Sequence, residues 1–105
     1  MAIKKEFNKF RELVSSSEMP VLVDFYADWC EPCRIMAPIV EQVDIQMNQQ
    51  LKMVRINTDN CPHLAEQHHI HVLPTLVLFK QGKPVVRLEG IMSAEAVIQR
   101  LQGLV

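Results

Sequence analysis

Two cysteines, Cys30 and Cys33, lie three positions apart in the run Trp-Cys-Glu-Pro-Cys. This run follows a short apolar stretch rich in β-branched residues and precedes apolar residues spaced as on a helix face. At a helix start, unpaired backbone N–H groups and the positive end of the helix dipole both favour a thiolate. We therefore expect thiol chemistry, with Cys30 as the nucleophile and Cys33 one turn further along the helix.

The spacing of the two cysteines allows a reversible disulfide. Side chains at positions i and i+3 of a helix start can bring two sulfurs within bonding distance. Cys30 would attack a substrate disulfide, and Cys33 would resolve the mixed disulfide, which leaves the substrate reduced and the pair oxidised. A zinc site is the alternative, but it needs four ligands and the chain has no second Cys-x-x-Cys. We favour redox use, with an external reductant and with neither metal nor cofactor.

Composition limits the classes of protein that the chain can belong to. Its 105 residues, 49% of them hydrophobic, fit one compact domain, and three cysteines do not form an even disulfide framework. A formal charge of −1 argues against nucleic acid or an anionic membrane as partner. No apolar run reaches the length of a membrane span, and the N-terminus lacks the pattern of a secretory signal. We expect a monomer in the cytoplasm or in a reducing organelle.

The elements that must position the cysteines alternate between helix and strand. The first helix should end near Ser15, the second should follow the cysteines, and Ser93 should cap the last. Gln81-Gly82-Lys83 indicates a hairpin between the last two strands. The predicted order is a βαβ half followed by a ββα half, which gives an α/β fold with a mixed sheet. The predicted strands are Val21–Tyr26, Leu51–Ile56, Thr75–Lys80 and Pro84–Glu89, with a further short strand at Ala2–Lys4, and Pro62–His69 is a short helix.

The segment from Val23 to Cys33 resembles the active-site segment of thioredoxins. Leu-Pro-Thr at 73–75, Phe-Lys-Gln-Gly at 79–82 and Glu-Gly at 89–90 are similar to later landmarks of that family, in the usual order and spacing. The resemblance covers nearly the whole chain. It implies one thioredoxin domain over residues 1–105, a mixed sheet flanked by helices, and reduction of disulfides in protein substrates. It also implies recharging of the pair by an NADPH-linked or ferredoxin-linked thioredoxin reductase.

Asp24 interrupts an otherwise apolar strand, where an unpaired charge is costly and its pKa should rise. The resemblance implies that Asp24 is the buried acid beneath the active site and accepts the proton of Cys33 during resolution. The alternative is a solvated position in a misread strand. Arg55 falls where the family often has a lysine near this acid. Because an arginine stays charged, the proton balance at Asp24 should differ from that of the family.

The resemblance also implies a docking surface for substrates around Cys30. It predicts a cis peptide bond between Leu73 and Pro74, in a loop that faces the cysteines and offers its backbone to an extended substrate segment. The alternative is that Leu73 and Ile91 are ordinary core residues. The residues expected at this surface are Trp29, Glu31, Pro32, Leu73, Pro74, Gly90 and Ile91.

Two residues near the cysteines depart from the family pattern. Typical thioredoxins have glycine where this chain has Glu31, and many have a second tryptophan where it has Tyr26. A carboxylate beside Cys30 should disfavour the thiolate, unless solvent screens it completely. Reduction potential and substrate choice are therefore the properties that the resemblance determines least.

Other candidate residues lie between the second and third predicted strands. Cys61 is either a small, partly buried hydrophobic residue or a regulatory thiol. The nearby histidines do not have a spacing that requires a metal, and they are more simply surface residues. They would alternatively make the substrate surface pH-sensitive, so that substrates with acidic patches bind more tightly at lower pH. These histidines are His63, His68, His69 and His71.

Two further functions remain open from the residues. One is a binding or assembly protein that keeps the fold and uses the same surface without turnover. The other is a disulfide donor or isomerase in an oxidising compartment, which a less reducing potential would indicate. The lack of a secretory signal pattern favours the reductase.

Overall fold

The computed structural model describes the backbone of residues 2–105 and the side chains of residues 9–105. It contains the eight predicted helices and strands in the predicted order, with small differences at their ends. None of the described helices is long and apolar enough to cross a membrane. The elements are α1 (Ala2–Ser16), β1 (Val21–Tyr26), α2 (Glu31–Met47), β2 (Lys52–Asn57), α3 (Pro62–Gln67), β3 (Thr75–Lys80), β4 (Lys83–Glu89) and α4 (Ala94–Gln102).

The additional strand predicted at Ala2–Lys4 is wrong, because these residues form the start of α1. Alanine and lysine are strong helix formers, so the helical pattern that follows extends back through them. Phe7, which contributed to that pattern, lies outside the residues whose side chains are described. Phe10 and Val14 do face the core from this helix.

The four strands form one mixed sheet in the order β2-β1-β3-β4. β1 runs parallel to β2 and antiparallel to β3, and β3 and β4 form an antiparallel hairpin. The hairpin loop is the pair Gln81 and Gly82, whose φ angles of 53° and 83° suit a two-residue turn of type I′. The predicted βαβ and ββα halves are therefore confirmed, and β1 occupies the interior of the sheet.

Alternation along β1 divides the core into two layers. Val21, Val23 and Phe25 pack on one face with residues of α1 and α3. Leu22 packs on the other face with residues of α2 and α4. Asp24 shares the face of Leu22 because side chains two apart on a strand point the same way. The strand thus places the acid on the face that α2 covers.

Candidate active site

Cys30 and Cys33 form a disulfide at the start of α2. Their Cα atoms are 5.2 Å apart, and Cys30 is the extended N-cap residue of the helix. The backbone N–H of Cys33 donates a hydrogen bond to the Sγ of Cys30 over 3.2 Å. Pro32 fits the first turn because its missing N–H would have had no partner within the helix. The helix start therefore directs a backbone donor at Cys30, which favours negative charge on that sulfur.

The surroundings of the two cysteines differ although both are buried, at 3% and 4% exposure. A groove of about 610 Å³ opens beside the disulfide, and Cys30 lines it whereas Cys33 does not. Cys33 packs instead against Ala27 and Cys30. An incoming sulfur can therefore reach Cys30 first. The groove is lined by Trp29, Cys30, Glu31, Pro32, Thr58, Pro62, Ala65, Glu66, Ile70, His71 and Leu73.

The groove includes part of the predicted docking surface. Trp29 is 69% exposed, and its indole Nε1 donates to an Asp59 carboxylate oxygen over 3.0 Å. Leu73 packs against the cluster that contains both cysteines. Gly90 and Ile91 do not line the groove, although Ile91 is exposed. The structure therefore brings Trp29 and Leu73 to the reactive sulfur and leaves Gly90 and Ile91 beyond the groove.

The loop before β3 contains a cis peptide bond between Leu73 and Pro74, as the sequence resemblance implied. The carbonyl oxygen of the buried Pro74 accepts a hydrogen bond from the N–H of Gly90 over 2.9 Å. Within residues 2–105, the N–H and C=O groups of Leu73 have no backbone partner. These groups lie beside the groove, where an extended segment can pair with them.

Asp24 is buried, at 2% exposure, and it forms an ion pair with Arg55. Its Oδ2 accepts a hydrogen bond from Arg55 Nε over 3.1 Å, and the two residues are direct cross-strand partners. Among the described residues Oδ1 has no hydrogen-bond partner. Burial raises the pKa of Asp24 above its ordinary value of 3.8, and Arg55 offsets only part of that rise. The unpaired oxygen lies on the α2 side of the sheet, and its role as a proton acceptor stays a prediction.

Tyr26 completes a stack with Arg55 that the sequence analysis missed. The guanidinium carbon of Arg55 lies 3.9 Å from the centre of the Tyr26 ring, a cation–π distance. Strand alternation could have revealed it, since Tyr26 is two positions from Asp24 and Arg55 pairs with Asp24 across the sheet. Tyr26 and Arg55, which replace the tryptophan and lysine common in the family, therefore contact each other.

The third cysteine lies apart from the disulfide. Cys61 is partly buried at the N-cap of α3 and lines an apolar pocket of about 190 Å³ with Phe10 and Leu13. Its regulatory role stays a prediction.

The histidines have different surroundings in the structure, although the rings of His69 and His71 lie 6.3 Å apart. His71 lines the groove, whereas His68 packs among the rings of Phe10, Phe25 and Phe79. Burial lowers the pKa of His68 from 6.5, and the positive charges of Arg87 and His69 lower it further. Within the described part of the chain, no three His, Cys, Asp or Glu side chains form a group that could hold a metal ion.

A redox-active cysteine pair at the start of a helix, on a mixed sheet of this topology, defines a thiol-disulfide oxidoreductase. Comparison with known proteins agrees with this class. The family model described as thioredoxin matches residues 2–103, and the chain belongs to the thioredoxin family.

Three relatives show the degree of sequence similarity. A thioredoxin-like protein of Synechocystis sp. is 55% identical over 105 residues, which is the full length of both chains. The chloroplastic thioredoxin Y of Oryza sativa subsp. japonica is 43% identical over 97% of this chain and 61% of its own length. A thioredoxin of the same Synechocystis strain is 42% identical over 89% of this chain and 87% of its own.

The fold is also shared with a solved structure. A chain from a study of thiol resolution in a yeast mitochondrial 1-Cys peroxiredoxin by glutathione and thioredoxin systems superposes with a TM-score of 0.84. The match covers 92% of this chain and 89% of the other at 26% identity. The thioredoxin fold predicted from the sequence is therefore confirmed.

Proposed function

We propose that the protein reduces disulfides in protein substrates. The observation that carries this proposal is that Cys30, and not Cys33, lines the groove beside the disulfide. A substrate sulfur entering the groove meets the cysteine whose sulfur already accepts a backbone N–H. The exposed Trp29 and the unpaired backbone of Leu73 would hold the substrate segment in an extended conformation.

The reaction takes two displacements. The Cys30 thiolate attacks one sulfur of the substrate disulfide, and the other substrate sulfur leaves as a thiolate and takes a proton from solvent. Cys33 then gives its proton to the Asp24 carboxylate, directly or through water, and attacks the Sγ of Cys30. This second displacement releases the other substrate thiolate. The substrate has gained two electrons, and the protein now holds the Cys30–Cys33 disulfide.

A thioredoxin reductase would return the two electrons, drawing on either NADPH or ferredoxin. The compartment that suits this cycle is a reducing one, the cytoplasm or an organelle, and relatives described as chloroplastic support the second location. Incubation of the oxidised protein with each purified reductase system, followed by thiol counting, identifies the donor. Recovery of two thiols in neither system would contradict this part of the proposal.

Trapping the intermediate tests the assignment of the two cysteines. The variant Cys33→Ser should accumulate a mixed disulfide between Cys30 and an oxidised substrate such as insulin, because nothing resolves it. The variant Cys30→Ser should form none and should not reduce insulin with dithiothreitol as electron source. Full insulin reduction by Cys30→Ser would contradict the proposal. Unchanged assembly of a partner by Cys30→Ser, without any turnover by the wild type, would support the binding-protein alternative.

A reduction potential separates the reductase from a disulfide donor or isomerase. We expect the Cys30–Cys33 couple to equilibrate with strongly reducing dithiols rather than with glutathione mixtures typical of an oxidising compartment. Full oxidation of the pair only by the most oxidising glutathione mixtures would support the donor.

A further inference from the structure

The groove beside Cys30 carries charge of one sign. Among the side chains of residues 9–105, its lining includes the carboxylates of Glu31 and Glu66 but neither lysine nor arginine. Glu31 begins α2, and Glu66 lies in the last turn of α3, so two different helices contribute the charges. Both residues are exposed where they line the groove. The remaining lining is mostly apolar, so these two charges dominate its electrostatics.

More carboxylates lie beside the groove. Asp59 accepts the indole hydrogen bond of Trp29, and Asp28, the residue before Trp29, accepts a hydrogen bond from an asparagine of β2 over 3.4 Å. The whole chain has a formal charge of only −1. The excess of negative charge is therefore a local property of this region.

Arg34 lies beside these carboxylates and partly offsets the charge of Glu31. Arg34 lies 3.7 Å from a Glu31 carboxylate oxygen, and both side chains are mostly exposed, at 68% and 75%. Solvent screens an exposed ion pair of this kind, so Arg34 cancels the charge of Glu31 incompletely. Arg34 also donates to the backbone oxygen of Asp28 over 3.1 Å, and it does not line the groove. The field inside the groove thus remains negative.

We propose that this groove selects protein substrates in which a lysine or arginine lies next to the disulfide. The inference rests on the proposed reductase function and adds the chemistry of its substrates. Apolar lining and the free Leu73 backbone bind an extended segment of almost any sequence. The carboxylates on the two helices then favour segments with positive charge, because a concave, partly apolar surface focuses their field. Complementary charge of this kind acts mainly on specificity and on the rate of association.

Three disulfide-bonded peptides test the proposal. They share one cyclic disulfide and differ only in the two flanking residues, which are lysine, glutamine or glutamate. In low salt we expect kcat/KM for the lysine peptide to exceed that for the glutamate peptide about tenfold. High salt should reduce this ratio to roughly threefold or less, since screening removes interactions between exposed charges.

Variants of the two helices assign the effect to residues. Glu66→Lys should lower the lysine-to-glutamate ratio several-fold, and Glu31→Gln should lower it less, because Arg34 already shields Glu31. The matched control is Glu41→Lys, an exposed position of α2 that does not line the groove, and it should leave the ratio unchanged. The control Glu41→Lys should also reduce the glutamine peptide at the wild-type rate.

The outcomes separate the two proposals. Failure of the wild type to reduce even the glutamine peptide would overturn the proposed reductase function. Reduction of the glutamine peptide, with lysine and glutamate peptides equal or with the glutamate peptide faster, would overturn the inference alone. An equal effect of Glu41→Lys and Glu66→Lys would also overturn it, since the selectivity would then come from overall charge.

Discussion

Replacing Asp24 by valine should make the protein more stable and a poorer catalyst. The acid is almost completely buried in an interior strand, and one of its oxygens lacks a hydrogen-bond partner among the described residues. Valine is close to aspartate in size and suits a strand, and it carries no group that needs a partner. Arg55, which loses its ion pair in this variant, is 44% exposed and can turn to solvent.

The expected gain in the free energy of unfolding follows from three contributions. An unsatisfied buried acceptor costs about 1–3 kcal/mol, and this cost disappears. The added apolar atoms contribute about 1 kcal/mol by their burial. The lost hydrogen bond to Arg55 costs about 1–2 kcal/mol, less than for a fully buried charged pair because the arginine is partly solvated. The net gain is about 1–2 kcal/mol, in line with replacements of buried ion pairs by apolar residues.

The gain in the free energy of unfolding should depend on pH, and the raised pKa of Asp24 determines the direction of this dependence. A carboxyl whose pKa is higher in the folded than in the unfolded state contributes stability below the unfolded-state value. That contribution is lost as the pH rises through the folded-state pKa. The Asp24→Val variant lacks this loss. Its free energy of unfolding should therefore exceed that of the wild type most at neutral and alkaline pH, and the difference should shrink on acidification.

Urea unfolding of the oxidised proteins between acidic and alkaline pH measures this difference. The midpoint should rise in Asp24→Val with the slope of the transition unchanged. Asp44→Asn, a carboxylate on α2 that is only partly buried, is the control and should change the midpoint little. Resolution of the mixed disulfide should slow at least about tenfold at neutral pH. This slowing is smaller than the usual rate contribution of a general base, because water can also take the proton. A destabilised variant, or a gain that does not vary with pH, would refute the reasoning.

Three further perturbations probe residues around the site. A double-mutant cycle of Tyr26→Leu with Arg55→Gln should give a coupling of about 0.5–1 kcal/mol in urea unfolding, and a coupling of zero would show that the stack contributes nothing. Glu31→Gly should raise the alkylation rate of Cys30 at neutral pH by less than about threefold, because solvent and a neighbouring arginine screen this carboxylate; a decrease would contradict the repulsion argument. Burial lowers the pKa of His68 in the folded state, so the stability that its neutral form contributes above pH 6.5 is lost as the pH falls. His68→Leu should therefore flatten the decline of the urea midpoint on acidification.

The sequence predicted those features that depend on neighbouring residues. β1 and the hairpin turn follow from local patterns, and the burial of Asp24 follows from its apolar neighbours in the strand. The cis bond before Pro74 came from family resemblance, since local sequence favours the trans form. The strand wrongly predicted at Ala2–Lys4 is a short apolar and basic stretch that fits the periodicity of a strand as well as that of a helix.

Features that depend on distant residues were not predicted. Glu66 lies at the groove because α3 and the start of α2 both line it, and no motif connects Glu66 with Glu31. The exposure of Cys30 rather than Cys33 to the groove likewise involves Leu73, which is distant in sequence and packs against the cysteines. Contacts of this kind are set by tertiary packing, which a periodic pattern in one segment does not specify.

The position of Trp29 at the groove also determines how the molecule can be observed. The chain has one tryptophan and one tyrosine, and Tyr26 packs beside the same cysteines. The intrinsic fluorescence and the aromatic circular dichroism of these two residues therefore originate at the reactive centre and not in the distant core. Substrate docking, oxidation of the pair and loss of the Trp29–Asp59 hydrogen bond can each be followed in the unlabelled protein, in real time.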